Sequence, residues 1–136
     1  MRTYKDDYNF GKEQEDLILP LLEAEFKDNI KKSEERYSKY DYSGDKYLYE
    51  LKSRTNNYSK YPTTLLPADK ILKNKKQIFI FNFTDQIGYI EYSKDKFSNF
   101  KLKSFIRNWR AGGKIKEKNY FYIPIEELNI IKKISN

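Results

Sequence analysis

The chain has 136 residues, enough for one domain with a sizeable core, although only 38% of them are hydrophobic. It contains neither Cys nor His. That excludes disulfides, thiolate nucleophiles, imidazole bases and a catalytic zinc site of the His-rich kind.

Any general base must therefore come from Asp, Glu, Lys or Tyr. Any metal site must be oxygen-rich, which favours Mg²⁺, Mn²⁺ or Ca²⁺. The 13 Tyr and 9 Phe supply large side chains for the core. The formal net charge of +7 is unevenly spread. Residues 1–30 carry four basic and eight acidic side chains, whereas residues 31–136 carry 23 basic and 12 acidic ones. A basic body beside an acidic first segment points to a polyanionic partner. No apolar run approaches a membrane span, and the opening MRTYKDDYNF lacks the apolar core of a signal peptide. The expectation is an intracellular protein of cytoplasm or nucleoid that makes no membrane contact. The heavy use of Lys, Asn, Ile and Tyr suits an AT-rich microbe, a phage or a large virus.

Residues 1–10 read as a loose lead-in, and a helix is predicted from Gly11 to about Phe26. Acidic side chains crowd its start, where the helix dipole favours them. Leu19, Leu22 and Phe26 form its apolar stripe, and Glu15 sits one turn before Leu19 on that stripe. Pro20 should kink or restart the helix.

Residues 35–42 and 46–54 are predicted to form a hairpin that turns near Ser43-Gly44-Asp45. Glu50 and Lys52 share one face of the second strand, with Leu48, while Tyr47, Tyr49 and Leu51 occupy the other. A two-residue turn at Gly44-Asp45, or a four-residue loop from Ser43 to Lys46, sets Asp41 opposite Leu48. Asp41 then lies diagonal to Glu50 on the same face, roughly 7–8 Å away between Cβ atoms. A three-residue loop would flip Asp41 to the other face. Two carboxylates and the intervening carbonyl of Leu51 make a plausible cradle for one divalent cation. Lys52 beside it can orient a water, help deprotonate it, or offset charge in a transition state.

The pattern D-x8-E-x-K, formed by Asp41, Glu50 and Lys52 after a helix bearing Glu15, resembles the PD-(D/E)XK nuclease superfamily, including Holliday-junction resolvases and lambda-exonuclease-like proteins. The resemblance implies a restriction-endonuclease-like core and a Mg²⁺- or Mn²⁺-dependent endonuclease. Asp41 and Glu50 would be metal ligands, Lys52 the catalytic lysine, and Glu15 an accessory ligand or water-mediated contact. Two departures stand out. The loop between Asp41 and Glu50 is short for the family, and Tyr40 replaces the usual Pro before the aspartate. Asp45 is the rival for the aspartate role, but it lies in the turn whereas Asp41 lies in a strand.

Beyond the hairpin, residues 55–62 are polar and turn-like. A short helix is predicted from Pro67 to Lys73. Gln77 to Phe83 should be a central strand, because both of its faces are mostly apolar. Ile87 to Ser93 returns as the next strand. Residues 96–110 are ambiguous between an aromatic-rich loop and a helix, broken at Gly112-Gly113. Tyr120 to Ile123 reads as a last strand stopped by Pro124, and Glu126-Glu127-Leu128 as a helical turn. The fold class is α/β: a single domain with a central mixed β-sheet flanked by helices, its core at about residues 11–93 and a basic C-terminal extension at about 94–136.

Arg54, Lys60 and Lys70 surround the presumed mouth of the site. Lys101, Lys103, Arg107, Arg110, Lys114 and Lys116 crowd the C-terminal region, interleaved with aromatic residues. These are the candidate nucleic-acid contacts, with DNA placed ahead of RNA. With no separate sequence-reading domain, cleavage should be structure-specific or weakly sequence-specific. A symmetric homodimer is the family-level expectation. No GxxxxGK[ST] motif is present, so no nucleotide cofactor is expected. Two alternatives remain open. One is a binding module of the same fold that cuts nothing, and the other is a protein-interaction domain that binds no nucleic acid.

Overall fold

The computed structural model describes residues 4–35, 38–108 and 115–131. In chain order the elements are helix α1 (Tyr4–Phe26), β1 (Lys31–Lys32), β2 (Tyr42–Ser43), β3 (Leu48–Ser53), β4 (Thr63–Pro67), a 3-10 turn at Ala68–Lys70, β5 (Gln77–Asn82), β6 (Ile87–Glu91), helix α2 (Lys94–Phe97), β7 (Lys101–Asn108), β8 (Ile115–Pro124), a 3-10 turn at Ile125–Glu127 and β9 (Asn129–Ile131). The result is an α/β domain built on a central mixed sheet with helices around it. Six strands form that sheet in the order β1-β2-β3-β5-β6-β9, and β4-β8-β7 form a second, antiparallel sheet. No helix among the described residues is long and apolar enough to cross a membrane.

The two faces of the central sheet bury different layers. On one face, Ile18 and Leu22 of α1 pack on Tyr49, Leu51, Ile78 and Ile80. On the other, Phe79, Phe81 and Ile90 meet Leu66 of β4, Phe97 of α2 and Ile123 of β8. Alternation along β5 sends its isoleucines to α1 and its phenylalanines to the second sheet, so every residue of that strand is buried. The central strand expected at Gln77 to Phe83 is thus found, ending at Asn82.

Several expectations are corrected. The helix begins at Tyr4 rather than Gly11, and it runs through Pro20 as one element. Burying Ile18 and Leu22, worth about 1.5–3 kcal/mol each, outweighs one lost amide bond. Phe26 is followed by Lys27 at φ 48°, a left-handed residue that ends the helix. Thr63–Pro67, for which the sequence predicts no element before a helix opening at Pro67, is a strand, because β8 pairs with it along its whole length. The helical part of the expected Pro67–Lys73 segment is a single 3-10 turn. Lys101–Asn108 is neither loop nor helix but a strand paired to β8. The segment after residue 93 does not trail from the core: β8 carries the second sheet, and β9 adds an edge strand to the central one beside β6. Gly112 and Gly113 lie outside the described residues.

The hairpin that carries the candidate site is pinned at its tip. The register pairs Tyr42 with Tyr49 and Ser43 with Leu48, leaving a four-residue loop from Gly44 to Tyr47. This differs by two positions from the expected register, and the first strand is short enough to leave Asp41 just outside it, with its N–H on Tyr49 O. The shift traces to Asp28. Its carboxylate accepts the N–H of Asp45 at 2.9 Å and the Tyr49 hydroxyl at 2.7 Å, which ties the loop to the end of α1. Burial works against this charge, but the Tyr49 hydroxyl and the Lys46 and Asp45 amides hold its carboxyl below the usual range. A Cβ on Gly44 would stand 2.1 Å from Asp28 Oδ2, so only glycine fits there.

Candidate functional site

Asp41 sits where β2 stops. Its N–H donates to Tyr49 O at 2.9 Å, and its Oδ2 accepts the N–H of Leu51 at 2.6 Å. The carboxylate thus takes the backbone donor that a longer β2 would have satisfied. N–H and C=O of one residue point to the same side in an antiparallel pair, so the Leu51 carbonyl is also directed toward this edge.

From this position Asp41 meets two other acids, one from each side of the sheet. Glu15 arrives from α1, whose chain is held by the Tyr42 hydroxyl donating to Glu15 O at 2.6 Å. Glu50 projects from β3 toward the second sheet, level with Phe79 of β5. The Glu15 carboxyl is pushed up to about 7, by burial first and then by the facing Asp41 carboxyl; Lys12 and Lys32 oppose the shift. Glu50 is 6% exposed. Burial and the Asp41 charge raise its pKa, against Lys52 and Lys70. Asp41 is therefore the middle member of a row, Glu15 to Asp41 to Glu50. Among the described residues, no three acidic side chains close around a single point as a finished metal cage.

Lysines line the row. Lys52 Nζ is 3.4 Å and Lys70 Nζ 3.5 Å from Glu50 Oε1. Lys12 and Lys32 each place Nζ 3.6 Å from Glu15 Oε2. Burial lowers the Lys52 pKa despite the neighbouring Glu50. Even so, Glu15 Oε2 is a buried acceptor without a hydrogen-bond partner. A buried carboxylate oxygen whose lysine neighbours stand off at 3.6 Å, like-charged acids facing one another and an all-oxygen donor set fit a hard divalent cation.

The remaining predicted residues occupy different surroundings. Lys70 points into the site. Arg54 is built into the wall: its Nη2 donates to Leu65 O at 2.6 Å, its Nε to Thr64 Oγ1 at 3.3 Å, and its guanidinium lies 5.5 Å from the Phe81 ring centre. Lys60, Lys101 and Lys103 are exposed. Arg107 and Lys116 stand opposite each other in the β7–β8 register, while Arg110 and Lys114 lie outside the described residues. Asp45, the rival aspartate, is an exposed residue of the hairpin loop.

The sequence reading missed Lys12, Lys32 and Asp28. Lys12 was accessible from its three-residue helical spacing to Glu15. Lys32 reaches Glu15 only because β1 pairs with β2, and two residues of pairing leave no pattern to read. Compared with protein-family models, curated proteins and solved structures, the chain matches none.

Proposed function

We propose that this chain is a metal-dependent phosphodiesterase of the PD-(D/E)XK type, an endonuclease acting on DNA ahead of RNA, with structural or weak sequence specificity. The observation that carries the reading is the row of acids centred on Asp41, with the Lys52 ammonium 3.4 Å from Glu50. The order helix, hairpin, crossover and parallel strand also supports it.

Asp41, Glu50 and the Leu51 carbonyl would hold Mg²⁺ or Mn²⁺, with Glu15 as an accessory ligand. When bound, the ion supplies charge neutralisation and a more acidic water. Asp41 is held in place by the Leu51 amide, so its carboxylate needs little reordering. The Lys52 Nζ, with its lowered proton affinity, can give or take a proton at the attacking oxygen and offset charge on the phosphoryl oxygens. Lys70, from the 3-10 turn, adds a second cation over the same carboxylate. A homodimer would present two such sites to a duplex or branched target.

The second reading is a nucleic-acid-binding module of the same fold that cuts nothing. The spread of the three acids, which do not close into a cage, favours it. Calorimetric titration with Mn²⁺ and Mg²⁺ separates the two. The nuclease reading expects a binding heat in the wild type that Asp41→Asn abolishes. Equal heats, or none in either protein, would leave binding alone.

A further inference from the structure

A second feature lies just past the end of β3. Arg54 directly follows β3 and lines a pocket of about 390 Å³. That volume falls in the range of small-molecule sites, roughly 300–1,000 Å³. Its wall includes the rings of Tyr58, Phe83, Tyr122 and Tyr61, with Arg54 and the Thr63 hydroxyl among them.

Most of this wall is fixed. Tyr58 meets Phe83 edge-on at 5.6 Å, and its hydroxyl donates to Ile125 O at 2.7 Å. Arg54 is tied to β4 as described. Tyr61 is different: it is 53% exposed, a large ring left at the rim of an aromatic pocket. Two ammonium groups accompany the rings, Lys60 at 5.5 Å from the Tyr61 ring centre and Lys103 at 5.9 Å from that of Tyr122.

We propose that this pocket takes one unpaired nucleobase of the substrate strand, stacked against Tyr61, while Lys60 and Lys103 meet the flanking phosphates. Rings that offer stacking faces, with lysines beside them, match how single-stranded nucleic acid is gripped without sequence readout. Arg54 is four residues from Glu50 along β3, about 13 Å at the usual strand rise. That distance is on the order of four stacked nucleotides at ~3.4 Å each. The substrate class that follows is a strand with an unpaired or displaced base close to the scissile phosphate: single strands, flaps and branch points rather than intact duplex.

This inference rests on the nuclease reading, and its test is kept separate from cleavage. A fluorescent single-stranded 12-mer and the same strand with abasic spacers are titrated, in EDTA, with wild type, Tyr61→Ala and Tyr61→Phe. Base stacking of about 1–3 kcal/mol predicts roughly 5- to 150-fold tighter binding of the intact strand by the wild type. Tyr61→Ala should remove that preference and Tyr61→Phe should keep it. Equal binding of both strands by the wild type, binding of neither, or an unchanged preference in Tyr61→Ala overturns the proposal. Base-dependent binding without any cleavage under Mg²⁺ would sink the hydrolytic reading and leave the pocket standing. Cleavage without base dependence would do the reverse.

Discussion

The Asp41 carboxylate accepts the Leu51 amide at 2.6 Å, so the candidate ligand is also the cap on an unfinished strand edge. The two roles separate by substitution. Asp41→Asn keeps an oxygen for the Leu51 N–H and removes the charge; its melting temperature should stay within a few degrees of wild type while Mn²⁺ binding disappears. Asp41→Ala also strands the amide, at about 1–3 kcal/mol. Thermal melts of both variants check this. Equal destabilisation by Asn and Ala would mean that the carboxylate charge, not the cap, holds the edge.

We expect Glu15 to destabilise the fold at neutral pH, because burial and the facing Asp41 carboxyl oppose its ionisation. Below about 4.5, its ordinary value, the carboxyl is protonated in both folded and unfolded chains and costs nothing. Between there and about 7 the unfolded chain ionises first, so the native state binds more protons and stability falls as pH rises. Glu15→Gln should therefore raise stability at pH 8 by about 1–3 kcal/mol, read as a higher melting temperature, and leave it unchanged well below pH 4.5. A lower melting temperature at pH 8 would make Glu15 a structural ion-pair partner of Lys12 and Lys32 instead.

The same repulsion predicts how a cation and protons compete. A bound divalent ion relieves it and requires both carboxyls ionised. Mg²⁺ at a hundred times its dissociation constant should stabilise the protein by about 2.7 kcal/mol at pH 8 and much less at pH 5. Scanning calorimetry at the two values, with and without Mg²⁺, measures the difference. An equal shift at both values would place the ion elsewhere.

Gly44→Ala puts a methyl group into Asp28, whose carboxylate holds the hairpin loop. We expect a loss of about 1–3 kcal/mol by overpacking. Because that loop sets the β2–β3 register on which the position of Asp41 depends, Mn²⁺ affinity should fall as well. Urea melts and metal titrations of the variant test the coupling. Lost stability with unchanged affinity would uncouple the tip from the site.

Much of this was legible in the chain. Glu50 and Lys52 share a face because strand parity is set locally, and Gln77–Asn82 declared itself central by being apolar on both sides. The register of the hairpin was not legible, because it depends on Asp28, a residue 13 positions before Asp41 with no local mark of its role. Lys101–Asn108 reads as loop or helix, and Thr63–Leu66 as no element, for a related reason: each is a strand because β8 lies beside it, and such pairing is absent from local composition. The sequence places Lys70 no more finely than the mouth of the site, and the structure sets its Nζ 3.5 Å from Glu50 Oε1.

The most direct measurement is strand cleavage. Labelled duplex, single-stranded and branched DNA, and RNA, are incubated with Mg²⁺ or Mn²⁺ and either wild type or Lys52→Ala, with folding of the variant checked by circular dichroism. The acid row and its lysine predict metal-dependent cutting by the wild type, lost in EDTA and reduced about 10²- to 10⁴-fold in the folded variant. Cutting that persists undiminished without Lys52, or an intact panel after incubation with wild type and either metal, contradicts the account.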